Sequence, residues 1–183
     1  MHGQPVTATR TLVLVGLPGS GKSTVGRSLG RRLGLPFHDS DHVIEQRVGC
    51  SIRDFFAREG EARFRDEEQH ALEDLAAGPS CVLATGGGAV LREVNREILR
   101  RAGHVIYLRS SPEELWRRLR RDTKRPLLQV SDPQDKLRQL FAERDPLYAS
   151  IAEFVIDTGR QSVPTLVNKV LMQLELGGAL DRG

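Results

Sequence analysis

Cysteine and long apolar runs are both scarce in this chain of 183 residues. The two cysteines, Cys50 and Cys81, are too few for a disulfide framework, and they favour a reducing, cytoplasmic compartment. No stretch approaches the roughly 18 consecutive apolar residues that a membrane helix needs, and residues 1–10 lack the apolar core of a signal peptide. We therefore expect a cytoplasmic protein with no membrane partner.

Lysine is also rare, and the positive charge of the chain comes almost entirely from arginine. Four of the 27 basic residues are lysine, and the net charge is +3. A basic protein can bind nucleic acid, but arginine also binds the carboxylates and phosphates of small anionic substrates through two parallel hydrogen bonds. The total charge does not choose between these partners, so the positions of the arginines have to be considered.

Short, continuously apolar segments alternate with segments of helical periodicity along the chain. The apolar segments, which we interpret as buried strands, are residues 11–15, 36–39, 81–84, 105–108 and 154–157. The segments interpreted as helices are residues 23–33, 41–48, 53–58, 62–77, 91–101, 132–147 and 163–176, with a further helix beginning at Ser111. This alternation predicts a single α/β domain over residues 1–183, a three-layer sandwich in which helices cover both faces of a five-stranded parallel sheet. We expect the ends, residues 1–9 and 177–183, to be frayed.

A glycine-rich motif lies at the end of the first predicted strand. Residues 16–23 read Gly-Leu-Pro-Gly-Ser-Gly-Lys-Ser and match the P-loop pattern G-x-x-x-x-G-K-[ST]. Glycines let successive backbone N–H groups curl around phosphate oxygens, and the helix that follows adds its positive N-terminal end. Lys22 would reach the β- and γ-phosphates, and the hydroxyl of Ser23 would ligate Mg²⁺. The residues predicted to bind ATP here are Gly16, Pro18, Gly19, Ser20, Gly21, Lys22, Ser23 and Thr24.

The chain lacks two features that motor proteins and GTPases combine with a P-loop. The strand predicted over residues 81–84 ends without the carboxylate of a Walker B strand, and no Asn/Thr-Lys-x-Asp motif for reading a guanine base is present. Residues 154–157 end in an aspartate and could pass for a Walker B strand, but they lie late in the chain. The acidic residues that could serve a metal ion are Asp39 and Asp41, directly after the second predicted strand.

Three unusual loops follow the ends of predicted strands. Ligands of parallel α/β sheets bind beyond the carboxyl ends of the strands, so we expect these loops to meet at one site. The loops are residues 16–23, 39–41 and 86–88.

Five further motifs follow the P-loop in order. They are Asp39-Ser40-Asp41, Gly60-Glu61 with Phe64-Arg65, Gly86-Gly87-Gly88, Arg125-Pro126-Leu127-Leu128, and Arg144-x-Pro146-Leu147-Tyr148. In order and spacing, across roughly residues 10–160, this set resembles the shikimate kinase family. The resemblance implies a P-loop fold like that of nucleoside monophosphate kinases, with a lid at about residues 117–131, and a monomer. It also implies that the chain transfers a phosphoryl group from ATP, with Mg²⁺, to the 3-hydroxyl of shikimate, on the route to chorismate and the aromatic amino acids.

The resemblance implies which residues bind the acceptor. Asp41 would bind the hydroxyl groups of shikimate and lie close to the one that is phosphorylated, and Arg65 and Arg144 would clamp its carboxylate. Gly87, in the turn of residues 86–88, would touch a hydroxyl through its backbone. The chemistry agrees, because a carboxylate orients an alcohol, paired guanidinium groups select a planar carboxylate, and glycines let the backbone approach a polyol closely.

The same resemblance implies the residues on the donor side. Arg125 in the lid would reach the transferring phosphoryl group, Asp39 would hold Mg²⁺ through water, and Arg118 would lie against adenine. Phosphoryl transfer needs charge neutralisation and alignment more than covalent participation, and Lys22, Mg²⁺ and Arg125 would supply the positive charge. The implied catalytic residues are therefore Lys22, Asp41 and Arg125.

Each of these assignments has a simpler structural alternative. Asp39 or Asp41 could merely cap the helix that follows, and residues 86–88 could form a plain turn. Arg65 could lie on a solvated helix face with partners one turn away. Arg144 could pair with a nearby carboxylate on its own helix, such as Glu143 or Asp145.

Two other functions also fit a P-loop chain of this kind. A kinase for gluconate or for a nucleoside monophosphate would share the architecture. A P-loop protein associated with RNA would use the six basic residues of segment 117–125 as a nucleic-acid patch, but no stacking aromatic residue is interleaved there beyond Trp116. A lid explains this segment better, so we expect no nucleic-acid partner, and the later motifs favour shikimate as the substrate.

Overall fold

The computed structural model describes residues 6–7, 10–121 and 130–182. Its strands are β1 (Val6–Thr7), β2 (Thr11–Val15), β3 (Phe37–Asp39), β4 (Val82–Ala84), β5 (Gly103–Arg109), β6 (Phe154–Asp157) and β7 (Asp181–Arg182). Five of them form one sheet in the order β3-β4-β2-β5-β6, and all neighbours in it are parallel.

Helices cover both faces of this sheet. The described helices are α1 (Lys22–Leu33), α2 (Ser40–Val48), α3 (Ile52–Glu59), α4 (Glu61–Ala77), α5 (Glu93–Ala102), α6 (Pro112–Leu119), α7 (Pro133–Ile151) and α8 (Val163–Leu176). Side chains alternate between the two faces along a strand, so in β2 Leu12 and Leu14 pack against α1 and α8, while Val13 and Val15 pack towards α4, α5, α6 and α7. All four side chains are fully buried, and each contributes roughly 1.5–3 kcal/mol to the stability of the core. The predicted three-layer sandwich is confirmed.

A separate, smaller apolar cluster joins α2, α3 and α4 at one end of the sheet. No helix within the described ranges combines the length and the apolar character that crossing a bilayer would require.

The strand order brings the three predicted loops together. The register pairs Ala84 at the end of β4 with Asp39 of β3 on one side and with Leu14 of β2 on the other. The chain leaves β2, passes to the edge strand β3, and returns to place β4 between them. The loops that follow these three strands therefore lie side by side at the carboxyl edge, which is where ligands bind in sheets of this type.

The C-terminal tail differs from the frayed end expected at residues 177–183. Ala179 and Leu180 are 3% and 7% exposed, and they belong to the apolar cluster that includes α1 and α8. Beyond them, β7 pairs antiparallel with β1. The expectation of fraying was wrong for residues 177–182, because burial of two apolar side chains holds this segment against the core.

Helix α7 is longer than predicted, since it continues through Pro146 and ends at Ile151 instead of near residue 147. A proline inside a helix removes one backbone hydrogen bond and costs roughly 3 kcal/mol. The helix continues because the next turn carries Tyr148 and Ile151, which are 0% and 5% exposed in the main core.

The segment predicted as a lid overlaps the end of α6. Residues 117–119 belong to this helix, and Leu119 is 2% exposed in the main core. Residues 122–129, which include most of the predicted lid, lie outside the described residues.

Candidate active site

The P-loop lies between the end of β2 and the start of α1. Gly21 precedes α1 with a φ of 97°, a left-handed conformation that favours glycine. Gly16 approaches β5 so closely that a Cβ there would lie 2.6 Å from the carbonyl oxygen of Leu108. Lys22 is 8% exposed, and its Nζ donates hydrogen bonds of 2.8 and 2.9 Å to the carbonyl oxygens of Gly16 and Leu17. The ammonium group is thus held over the loop that would carry the phosphates.

A cleft of about 350 Å³ opens in front of the P-loop. Its lining comes from the P-loop, from residues 39–41 and from the end of β4. The third predicted loop adjoins the other two, because Gly86 lies against Asp41 and Gly87 against Pro18. The lining residues are Pro18, Gly19, Gly21, Lys22, Ser23, Thr24, Asp39, Asp41 and Thr85. Ser20, which was also predicted to contact ATP, is only 1% exposed, inside the loop.

The two carboxylate oxygens of Asp39 have different partners, and one of them caps a helix. Oδ1 accepts hydrogen bonds from the backbone N–H groups of Asp41 at 3.0 Å and His42 at 3.4 Å, which caps α2. Oδ2 accepts a bond of 2.6 Å from the hydroxyl of Ser23. The helix cap therefore orients the carboxylate, and its other oxygen lies beside the P-loop.

The oxygens of Ser23 and Asp39 fit Mg²⁺. In phosphate-transfer sites this ion takes a few protein oxygens and fills its remaining positions with phosphate and water. Across the described ranges, no group of three or more His, Cys, Asp or Glu side chains is arranged to hold a metal ion by itself.

Asp41 lies beside the triple-glycine turn with an altered acidity. A Cβ on Gly86 would be 2.5 Å from its Oδ1. Burial raises the pKa of the Asp41 carboxyl from an ordinary 3.8 to about 6; the carboxylates of Asp39 and Glu68 act in the same direction, and Lys22 acts against them. Asp41 is therefore ionised at neutral pH, and it accepts a proton more readily than an ordinary aspartate.

The triple-glycine turn is tightly enclosed. A Cβ on Gly87 would lie 2.6 Å from Cδ of Pro18 in the P-loop, and one on Gly88 would overlap the guanidinium group of Arg65. The glycines of this turn do not have φ values in the left-handed region. Space therefore favours glycine most clearly at Gly87, which faces the rigid ring of Pro18, whereas backbone conformation does not require it.

Arg65 has the helix partners expected of a surface arginine, and yet it is largely buried. Its Nη1 donates to Oε1 of Glu68 at 2.9 Å, and its Nη2 donates to Oε1 of Glu61 at 3.4 Å. The side chain is 13% exposed, and its guanidinium lies 5.1 Å from the ring centroid of Phe64. The alternative of a solvated helix face was therefore right about the helix partners of Arg65, but wrong about its exposure to solvent.

Glu68 bonds to Arg65 and interacts electrostatically with Arg144, and no role was predicted for it. It is 0% exposed; burial raises the pKa of its carboxyl, while Arg65, Arg144 and Arg92 act in the opposite direction. A buried carboxylate is stable only with cationic partners. Oε2 of Glu68 and the Nε atoms of Arg65 and Arg144 are buried without a hydrogen-bond partner among the described residues. The cluster therefore retains hydrogen-bonding capacity for a ligand.

Arg144 lies on α7, and its charge acts towards the same cluster. Burial raises the pKa of both Glu68 and Tyr148, and the guanidinium of Arg144 opposes that rise. The neighbouring carboxylate of Asp145 accepts a hydrogen bond of 2.8 Å from the hydroxyl of Tyr107 on β5. One carboxylate oxygen of Asp145 is therefore already engaged by Tyr107.

The two remaining predicted residues are placed differently. Arg118 spans the P-loop and the loop after β6, where its Nη1 donates to the carbonyl of Gly19 at 3.3 Å and its Nη2 to that of Gly159 at 3.1 Å. Leu119 packs on Gly19 from the core side. Arg125 lies outside the described residues, so its role stays a prediction, as does the contact of Arg118 with adenine.

Two other residues orient the site without a predicted role. The hydroxyl of Ser40 accepts a bond of 3.1 Å from the N–H of Gly86, and the hydroxyl of Tyr148 donates to the carbonyl of Gly87 at 2.5 Å. Ser40 and Tyr148 each belong to one of the motifs described from the sequence. Glu68 follows Phe64 by four residues on α4, and residues four apart share a helix face. The sequence could therefore have indicated that Glu68 lies on the buried face of this helix.

The chain is similar to known shikimate kinases over most of its length. The family model described as shikimate kinase matches residues 18–175. A shikimate kinase of Paracidovorax citrulli is 61% identical over 168 residues, which cover 90% of this chain and 92% of that protein. One of Burkholderia pseudomallei is 55% identical over 167 residues, which cover 91% of each chain.

A solved structure is similar as well. The shikimate kinase from Acinetobacter baumannii in complex with shikimate has a TM-score of 0.86 and 45% identity, and the match covers 92% of this chain and 94% of that one. The P-loop cleft, the buried arginine cluster and these similarities agree, and the chain belongs to the shikimate kinase family.

Proposed function

We propose that this chain transfers the γ-phosphoryl group of ATP to the 3-hydroxyl of shikimate, which gives shikimate 3-phosphate and ADP. Membership of the shikimate kinase family supports the reaction, and so does the P-loop that places Lys22 over a cleft. The reaction is a step on the route to chorismate and the aromatic amino acids.

The arginine cluster is the observation that carries the choice of substrate. Nε and one Nη form the edge of a guanidinium that binds a carboxylate through two parallel bonds, and in both Arg65 and Arg144 the Nε has no partner among the described residues. Glu68 holds Arg65 in place from one side. These edges would bind the carboxylate of shikimate, and the turn of residues 86–88 would lie against its hydroxyl groups.

Asp41 would orient the hydroxyl that is phosphorylated and accept its proton. It lines the same cleft as Lys22 and lies against Gly86. With a pKa of about 6, it is ionised at neutral pH. Phosphoryl transfer releases the proton late, so a carboxylate of moderate basicity suffices.

The donor side would be built from the P-loop and its neighbours. Lys22 would neutralise charge on the β- and γ-phosphates, and Ser23 and Asp39 would hold Mg²⁺, Asp39 through water. When bound, Mg²⁺ screens the phosphate oxygens and aligns them for in-line transfer. Arg125 would reach the transferring phosphoryl group, and Arg118 would lie against adenine.

A coupled assay of ADP release tests the proposal with shikimate, gluconate and nucleoside monophosphates as acceptors. We expect turnover with shikimate alone, and loss of that turnover in Lys22→Met protein purified in the same way. ADP release with gluconate or a nucleoside monophosphate, but not with shikimate, would refute the choice of substrate.

The chain is further proposed to act as a cytoplasmic monomer that does not bind nucleic acid. Its two cysteines are both free, which is typical of reducing compartments. Arg118 in the basic segment already donates to the carbonyls of Gly19 and Gly159, which supports a role within the nucleotide site. Light scattering tests whether the protein is a monomer. Filter binding with RNA at low and high salt tests whether it binds nucleic acid, because nucleic-acid affinity depends steeply on salt.

A further inference from the structure

The carbonyl in the middle of the triple-glycine turn is bound by a distant side chain. The carbonyl oxygens of Gly86 and Gly88 accept backbone hydrogen bonds of 3.0 and 3.1 Å from within the same loop. The carbonyl of Gly87 instead accepts from the hydroxyl of Tyr148, 61 residues along the chain. Because the peptide unit is planar and trans, a bond that orients this carbonyl also orients the N–H of Gly88 on its other side.

Tyr148 lies on the same helix as Arg144, one turn further along α7. Residues four apart share a helix face, so both side chains extend from α7 towards the acceptor side. Tyr148 is 0% exposed, and burial raises the pKa of its phenol, which keeps the hydroxyl protonated and able to donate.

Tyr107 provides a natural comparison. Its ring centroid lies 5.0 Å from that of Tyr148, and it is 1% exposed. Its hydroxyl also makes one hydrogen bond, but to the carboxylate of Asp145 instead of the glycine turn. The two tyrosines thus have the same chemistry and pack against each other, but the hydroxyl of Tyr148 bonds to the turn near Arg144, whereas that of Tyr107 bonds to Asp145.

We propose that Tyr148 is a positioning residue for the acceptor: its hydroxyl holds the peptide between Gly87 and Gly88 at a fixed place relative to Arg144, so that the turn and the carboxylate clamp meet shikimate as one preorganised surface. The inference rests on the proposed function, which assigns Gly87 and Arg144 to the acceptor. Without the hydroxyl, the peptide loses its orienting donor, and it has to be ordered when shikimate binds. That ordering opposes binding of shikimate and not of ATP.

Tyr148→Phe and Tyr107→Phe separate positioning from stability. Each variant loses one buried phenolic hydrogen bond, and we expect the Tm of each to fall by roughly 2–4 °C. For Tyr148→Phe the KM for shikimate should rise about tenfold, with the KM for ATP changed by less than about twofold. For Tyr107→Phe both KM values should stay within about twofold of wild type.

An unchanged KM for shikimate in Tyr148→Phe, with only a lower Tm, would overturn the inference, and so would equal rises in the KM for shikimate and for ATP. If Tyr148→Phe does not fold at the assay temperature, both KM values are measured at a lower temperature at which it is folded. A KM for shikimate that is raised there by about tenfold supports the inference, and an unchanged one overturns it. Turnover of shikimate by the wild-type protein shows that the proposed function holds, so a negative result with the variants then counts against the role of Tyr148 alone.

Discussion

The hydroxyl of Ser23 donates a hydrogen bond of 2.6 Å to Oδ2 of Asp39, and this bond joins the first turn of α1 to the end of β3. The other oxygen of the same carboxylate caps α2, the helix that carries Asp41. One side chain therefore connects the phosphate loop to the residue proposed to orient the acceptor. A substitution of Asp39 should therefore affect both the phosphate loop and the position of Asp41.

Asp39→Asn should weaken Mg²⁺ binding and preserve the fold. The amide oxygen can still cap α2, but the negative charge beside Ser23 is lost. We expect the Mg²⁺ concentration for half-maximal activity to rise about tenfold, since a charged interaction contributes roughly 1.5–3 kcal/mol. Asp132→Asn is the matched control, because Asp132 caps α7 in the same way at 3.0 Å. Equal Mg²⁺ dependence in both variants would contradict the metal role of Asp39.

Lys22→Met should abolish turnover. The substitution keeps much of the aliphatic side chain and removes the positive charge at the β- and γ-phosphates. Removal of one group that stabilises charge in a transition state costs on the order of a hundred- to a thousandfold in kcat. A kcat near that of wild type, measured with saturating ATP and shikimate, would exclude this role.

Asp41→Asn should lower kcat and leave the affinity for ATP nearly unchanged. The proposed function needs the ionised carboxylate, whose pKa is raised to about 6. Activity of the wild type should therefore fall as the pH drops through about 6, and the variant should lose that dependence. The idea fails if the variant alters ATP binding alone.

The carboxyl group of Asp41 should also lower the stability of the protein at neutral pH. Its folded pKa of about 6 lies above the ordinary value of 3.8, so between these values the folded state binds more protons than the unfolded state, and stability declines as the pH rises through this window. The full effect, on the order of 1–3 kcal/mol, is present above about pH 6. Urea denaturation at pH 4 and pH 7.5 checks it: Asp41→Asn should be more stable than wild type at the higher pH. An equal difference at both values would argue against a raised pKa.

Arg65→Ala and Arg144→Ala should each raise the KM for shikimate. Each variant loses a charged hydrogen bond to the carboxylate, worth ~1.5–3 kcal/mol, or roughly ten- to a hundredfold. Arg100→Ala is the control, because Arg100 is exposed and pairs with Glu97 on the surface of α5. If neither Arg65→Ala nor Arg144→Ala changes the KM, the clamp does not exist.

Local patterns were enough to predict the elements that surround the phosphate loop. β2 begins and ends where its apolar run does, and α1 starts one residue before the predicted position. A contiguous motif and an uninterrupted period are properties of neighbouring residues, so they are readable along the chain. The family resemblance was confirmed for the same reason, since it rests on short motifs in order.

Predictions failed where distant parts of the chain decide the outcome. The burial of Leu180 depends on α1 and α8, and the extension of α7 past Pro146 depends on the core that Tyr148 enters. Helical spacing from Phe64 indicates which face of α4 carries Glu68, but its interactions with both Arg65 and Arg144 depend on the tertiary packing.

The sequence by itself determined that this protein binds a nucleotide through a P-loop, that its sheet is parallel, and that acidic residues, glycines and arginines follow the strands. Only the tertiary structure decided which of these face one another: Oδ2 of Asp39 towards Ser23, Arg65 towards Glu68, and Tyr148 towards Gly87. The physical reason is that motifs and periodicity are set by neighbours along the chain, whereas burial and the direction of a side chain depend on the packing of segments that can be far apart in it.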